Sequence, residues 1–250
     1  MNEYVGQNVR AKPVAEEMAR DLGLKRFLLG IYQKMALGLL ITGATAWAVA
    51  HTAFMINLLY TNDGTSVTGY TGLGYLFLFA PLVLSLASGF FMRSMNVAML
   101  ALFYWLFVAI MGVSLSSIFL LYTGTSLAST FFITAGAFGA LSIAGYTTKV
   151  NMTGWSSFLF MAVLGLVIAS GVNIFLLHSS MMSLAISALG VLIFSALIAM
   201  KTQWLKLAYY DLERSQTGLA AMTYYGALSL YISFINLFLS ILRLFGGGRR

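Results

Sequence analysis

The sequence predicts an all-α membrane protein, a bundle of seven spanning helices. Three observations carry this. The 250 residues are 60% hydrophobic and 8% charged, with a mean hydropathy of +0.89, more apolar surface than a soluble domain of this size can hide. Asp, Glu, Lys and Arg leave five apolar runs between them, 35–62, 64–92, 94–148, 150–200 and 215–242, of 28, 29, 55, 51 and 28 residues. Short polar stretches at 122–126 and 178–180 divide the two longest at points suited to tight turns. A helix needs roughly 20 apolar residues to cross the hydrocarbon core, so spans are expected at about 33–53, 72–92, 97–120, 127–146, 156–177, 181–202 and 223–244.

Ahead of the first span lies a tail, residues 1–26, expected in the cytoplasm. Pro13 as a helix starter, with Val14, Met18 and Leu22 at four-residue steps, suits either a short amphipathic helix at the interface or a solvated tail. Lys25, Arg26 and Lys34 precede an apolar run that reaches Ala48, Val49 and Ala50, as in a signal peptide. The acidic Glu16, Glu17 and Asp21 upstream, and an apolar run that continues past those alanines, favour a retained first helix instead. After the sixth span, Trp204, Leu205, Tyr209 and Tyr210 suit the interface, and Lys206, Asp211, Glu213 and Arg214 suit water. The organisation expected is the tail, a transmembrane domain at 27–246 and a short basic tail at 247–250.

The net charge is +7, and the 14 basic residues are dispersed beside apolar runs rather than gathered into a nucleic-acid footprint. With the N-terminus in the cytoplasm, Arg10, Lys12, Arg20, Lys25, Arg26, Lys34, Arg93, Lys149, Lys201, Lys206 and Arg214 all fall on the inside, as the positive-inside rule requires. Arg243, Arg249 and Arg250 then fall outside. Six spans with a re-entrant last segment would return them to the inside.

Apolar helices gain little by leaving lipid, so they associate through close contact at small residues. Gly38, Thr42, Ala46 and Ala50 in span one fit that role, as do Gly136, Ala140 and Ala144 beside Ala135 and Gly139 in span four, and Gly165, Ala169 and Asn173 in span five.

Enzyme chemistry lacks its groups, and none is expected. Cysteine is absent, which removes disulfides, thiolate metal sites and thiol nucleophiles. The serines of Leu86-Ala87-Ser88-Gly89 and Ile168-Ala169-Ser170-Gly171 have no embedded histidine, since His51 and His178 fall near the outer surface. All seven acids, Glu3, Glu16, Glu17, Asp21, Asp63, Asp211 and Glu213, fall in the tail or loops, leaving no general acid or base and no metal-ligand spacing. No cofactor is expected. Neutral polar groups remain: Ser114, Ser116 and Ser117 in span three, Asn173 in span five, Ser195 in span six. In span seven Ser229, Ser233, Asn236 and Ser240, at steps of four, three and four, line one helical face. Such a stripe serves either as interhelical hydrogen-bond partners or as a wetted path.

Four stretches carry a resemblance: KRFLLGIYQKMALGLLITGATAWAVA (25–50), MGVSLSSIFLLYTGTSLASTFFITAGAFGALS (111–142), GYTTKVNMTGWSSFLFMAVLGLVIASGVNIFL (145–176) and LYISFINLFLSILRLFG (230–246). In order and spacing they resemble the bacterial branch of the Bax inhibitor-1 family, the transmembrane Bax inhibitor motif family. The resemblance implies a seven-helix bundle with the last helix central, in a bacterial inner membrane. It also implies a pH-sensitive calcium leak, gated by two aspartates that share a proton between helices six and seven, where two close carboxylates cannot both ionise cheaply. The partners implied are the lipid bilayer, calcium or another cation, and a membrane-anchored protease of the kind that some relatives modulate.

The chain departs from that pattern at both acids. Where relatives read Y-D-T-Q, it has Met200-Lys201-Thr202-Gln203. Where they read L-Y-L-D-F-I-N-L-F, it has Leu230-Tyr231-Ile232-Ser233-Phe234-Ile235-Asn236-Leu237-Phe238. Lys201 is expected to snorkel toward the cytoplasm, and a family latch between a helix-two arginine and the helix-six acid would leave Arg93 without its partner. Two functions are therefore expected to compete: a leak altered or lost, and an interaction protein working through its tail and bundle surface.

Overall fold

Polar residues cut the apolar chain where their side chains can replace the backbone bonds that a helix end lacks. The computed structural model describes residues 3–62, 67–91 and 96–247. They form α1 (Glu3–His51), α2 (Ala53–Leu59), β1 (Tyr60–Asn62), β2 (Val67–Tyr70), α3 (Gly72–Phe91), α4 (Val97–Ser114), α5 (Ser116–Leu121), α6 (Gly124–Thr147), α7 (Ser156–Val172), α8 (Ser180–Leu212) and α9 (Gln216–Phe245). A 3-10 turn, Thr153–Trp155, precedes α7, and a π turn, Asn173–Leu177, follows it. Asn96, Thr123, Ser179 and Ser215 cap α4, α6, α8 and α9 by accepting from Met99 N, Ser126 N, Met182 N and Gly218 N. Both turns expected inside the double-length runs are thus real, and each is held by a hydroxyl cap.

Among the described residues six helical stretches are long and apolar enough to cross a membrane: Arg20–His51, Val97–Leu121, Gly124–Thr147, Ser156–Leu177, Ser180–Leu212 and Gln216–Phe245. The protein is accordingly an all-α membrane protein with one small hairpin. α3 occupies the expected second span, and its apolar stretch Gly72–Ser88 is shorter than the other six. The tail is not a separate interfacial helix, because α1 is continuous from Glu3; at 1.5 Å per residue its 49 residues extend about 74 Å.

The hairpin was not expected. β1 and β2 pair antiparallel, Tyr60 opposite Tyr70 and Asn62 opposite Val67, with a bulge between Thr61 and Asn62. Tyr60 is buried and donates to Ser116 Oγ at 2.7 Å, while Ser116 donates to Val113 O at 2.6 Å where α4 gives way to α5. Burial pushes the Tyr60 phenol above its ordinary range.

α9 packs against α1, α4, α6 and α8, with α8 its most extensive neighbour. In its most apolar window 61% of residues are buried, against 11 to 33% in the other five spans. The small residues of α1 behave as expected, Gly38, Thr42, Ala46 and Ala50 all being buried. Those of α6 do not. Gly136, Ala140 and Ala144 are exposed, and the buried face is Leu127, Thr130, Thr134, Phe138, Ser142 and Gly145. Lipid and protein interior are both apolar, so the phase of a small-residue pattern is not fixed by polarity. Gly145 carries the close approach instead, since a Cβ there would collide with the Ala199 carbonyl of α8.

Asn173 joins α7 to α8. Its Nδ2 donates to Ser183 Oγ at 2.8 Å and Ser179 O at 3.2 Å, and its Oδ1 accepts from Ser179 N at 3.0 Å. The link forces His178 into a left-handed conformation, φ 49°. Asn173→Ala should lower stability by about 1–3 kcal/mol through the three hydrogen bonds it removes, and His178→Gly should raise it by about 1 kcal/mol by relieving the left-handed strain. Thermal unfolding in detergent, read as a fall and a rise in Tm, checks both signs.

Candidate functional site

α8 and α9 run antiparallel with small residues at regular intervals along the seam. Gly226, Ser233 and Ser240 recur every seven residues on α9. A Cβ on Gly226 would come within 2.7 Å of Leu205, and one on Gly190 of α8 within 2.5 Å of Ser240 Oγ. The polar stripe of α9 therefore faces α8, and its smallness is what brings the two backbones together.

Its hydrogen bonds mostly stay within the helix. Ser233 Oγ donates to Ser229 O at 3.1 Å, Asn236 Nδ2 to Ile232 O at 2.8 Å and Ser240 Oγ to Asn236 O at 2.8 Å. Each satisfies itself on the preceding turn, so Asn236 and Ser240 bond within α9 rather than across to a neighbouring helix. Ser233 and Ser240 are buried, whereas Ser229 and Asn236 lie half-buried.

Lys201 supplies the exception. Its Nζ donates across the seam to Ser233 Oγ at 2.9 Å and to Ser229 O at 3.0 Å. The side chain does not snorkel out, because two acceptors on α9 lie within its reach, and leaving them would exchange charge-assisted bonds for an empty seam. The two positions singled out in the sequence are thus in direct contact. Among the described residues the ion pair seen is Arg20 with Glu213, at 2.8 Å, and Lys201 has no carboxylate partner there. Asp21 and Asp211 are exposed. Arg93 and Asp63 lie outside the described residues, as do Arg249 and Arg250.

This pairing of an α8 lysine with an α9 serine falls inside a recognised family. The chain belongs to the Bax inhibitor-1 family. The family model described as "Inhibitor of apoptosis-promoting Bax1" matches residues 24–250. An uncharacterized protein of Caulobacter vibrioides is 48% identical over 250 residues, covering 100% of both chains. The inner membrane protein YbhL of Escherichia coli K12 is 40% identical over 228 residues, 91% of this chain and 94% of its own. The protein RP147 of Rickettsia prowazekii is 39% identical over 229 residues, 92% of each chain.

This Bax inhibitor-1 family protein has a second polar junction that the sequence did not reveal. Thr42 of α1 donates to Val108 O of α4 at 3.1 Å, so the Tyr231 phenol of α9, 2.6 Å from Thr42 Oγ1, is the donor to it. The small-residue pattern of α1 gives Thr42 a packing role only, and gives none to Tyr231. A tyrosine within an otherwise apolar span was the available signal, since a buried phenol has to find an acceptor. Tyr104 similarly donates to Lys34 O at 2.7 Å.

Removing one member of the Lys201–Ser233 pair should cost more than removing both. Ser233→Ala alone leaves the ammonium short of an acceptor, for about 1–3 kcal/mol, whereas in a Lys201→Met background it should be nearly neutral, both partners then being apolar. A double-mutant cycle on unfolding in detergent measures the coupling.

Proposed function

We propose that this chain is a non-enzymatic protein of a bacterial inner membrane, with seven spans, a cytoplasmic N-terminus and α9 at the centre. In it Lys201 and Ser233 replace the acid pair of the family's calcium leak, so that the leak is altered or lost. The 2.9 Å bond between Lys201 Nζ and Ser233 Oγ carries this reading, because it puts a basic group where the resemblance expects a shared proton between carboxylates. The location is supported by the inner-membrane name of YbhL, and the orientation by the eleven basic residues on the inward side. The central place of α9 is supported by its four helical neighbours, and the second span by α3.

Magnitudes favour loss of calcium passage. Two unit charges 4 Å apart at an effective dielectric of about 20 repel by about 4 kcal/mol, so a divalent cation passing the ammonium meets about 8 kcal/mol. A serine hydroxyl returns a hydrogen bond worth about 1 kcal/mol. Cation conduction would require Lys201 to leave the seam or lose its proton.

A second reading, an interaction protein that modulates a membrane-anchored protease, is favoured by the length of α1, which exceeds the hydrocarbon core more than twofold. On this reading the tail, residues 1–26, and the bundle surface would dock the partner.

Liposomes loaded with a calcium indicator distinguish these. The unmodified protein should show no pH-dependent calcium flux, and Lys201→Asp with Ser233→Asp together should create it. A steep pH response in the unmodified protein would exclude the first reading. Deleting residues 1–19 should abolish an effect on a protease partner only under the second.

A further inference from the structure

A polar tie at the end of α1 remote from Arg20 serves neither the α8–α9 seam nor the Thr42 junction. The Tyr60 phenol reaches out of β1 to Ser116, and Ser116 passes its own proton to Val113 O. Tyr60 and Ser116 are both buried, and they meet at Leu115, where α4 stops and α5 starts. Ser114, on the near side of that bend, donates to Leu78 O of α3 at 3.4 Å. Ser117, on its far side, is close enough to bear on the same phenol. The three serines that the sequence marks in this span therefore gather under the hairpin.

The piece that covers them is closed on itself and thinly attached. Thr71 N donates to Leu59 O at 3.0 Å and Thr71 Oγ1 to Leu58 O at 2.7 Å, so the beginning and end of the hairpin are tied together. On the α1 side the chain leaves through Thr52, whose backbone is extended at φ −105° and ψ 111°. Among the described residues, the apolar cluster that holds this piece has Val49, Leu59 and Tyr60 as its buried members, with Phe77, Val113 and Leu120 packed against them. Leu115 belongs instead to the large core around α9. Lifting α2 and the hairpin would part the small cluster and leave the bend anchored. A region with so few buried contacts opens at a fraction of the global cost. Water has a place to start: a crevice of about 10 Å³, lined by Tyr60, Tyr70, Phe77 and Ser114 among others, adjoins the tie. That is about the room one water needs, and a water there can take over the hydrogen bond that Tyr60 gives up.

We propose that α2 and the hairpin form a strap that opens independently of the α9 core, latched by the Tyr60–Ser116 hydrogen bond, and that its opening admits water to the serine hydroxyls at the α4–α5 bend. The strap pivots where its backbone leaves the helices, at Thr52 and at Thr71. It controls access to one end of the bundle, while Lys201 and Ser233 lie in the seam between α8 and α9. It therefore stands independently of ion flux and of which membrane surface is cytoplasmic.

Thiol labelling and amide hydrogen exchange of the full chain in lipid nanodiscs test it. The chain has no cysteine, so Ser114→Cys supplies a single thiol at the crevice. Its labelling by a water-soluble maleimide should be slow with Tyr60 present and about fivefold faster with Tyr60→Phe, the population change that one ordinary hydrogen bond commands. The latch is cut at Tyr60 rather than at Ser116 because Ser117 could take over the phenol. In Tyr60→Phe the amides of β1 and β2 should exchange faster by the same factor, while those of 228–242 in α9 keep their rate. The unmodified chain gives a separate reading: its β1 and β2 amides should exchange well before those of 228–242. Equal labelling with and without the Tyr60 hydroxyl, exchange in α9 that rises along with that of the hairpin, or unmodified hairpin amides that exchange only together with α9 would overturn the proposal.

Discussion

A lysine ammonium held between two apolar helices has to find its acceptors within the length of its own side chain. Water and lipid headgroups lie at the membrane surfaces, and an unpaired charge in the interior is costly. Lys201 finds a hydroxyl and a backbone carbonyl on α9, which requires the two helices to run close together. The closeness comes from Gly190, Gly226, Ser233 and Ser240, whose side chains are small enough for the backbones to approach. Beside this seam α1, α4 and α6 also pack against α9.

The same constraint governs the other polar groups. A hydroxyl on a helix can return its proton to the carbonyl one turn earlier, and Ser187, Thr134, Thr223, Ser233 and Ser240 all do so. That leaves them free to act as small packing residues. A phenol is too long for this, so Tyr60, Tyr104 and Tyr231 cross to neighbouring elements. The long side chains thus tie one helix to another, while the short ones let helices approach. The C-terminal end follows suit: Gly247 O accepts from Thr123 N at 3.4 Å, and Gly247 N donates to Ser126 Oγ at 2.9 Å, joining the end of α9 to the turn before α6.

Much of the architecture was legible residue by residue. Polar stretches at 122–126 and 178–180 marked turns because hydroxyls there can cap a following helix, and Thr123 and Ser179 do. The Lys201 and Ser233 positions were legible through the family resemblance and came out in contact. The hairpin at Tyr60 to Tyr70 is signalled only by Asp63-Gly64 between β-formers, and it lies in the connection between the first two spans, where hydropathy alone reads a loop. The tail was less legible. Pro13 suggested a fresh start, yet α1 runs through it without a break.

The sequence by itself determined which stretches are apolar and, where a hydroxyl can cap, where the next helix begins, because caps, charges and hydropathy act within a few residues of one another. It also determined that no acid occurs between Asp63 and Asp211. Only the tertiary structure decided which face of each helix turns inward. In lipid an exposed face and a buried face can have the same composition, so Gly136 looks outward and Gly145 inward for reasons of shape that no single helix contains. It also decided the direction of Lys201: snorkelling is a property of the side chain, but whether an acceptor waits across the seam depends on the neighbouring helix.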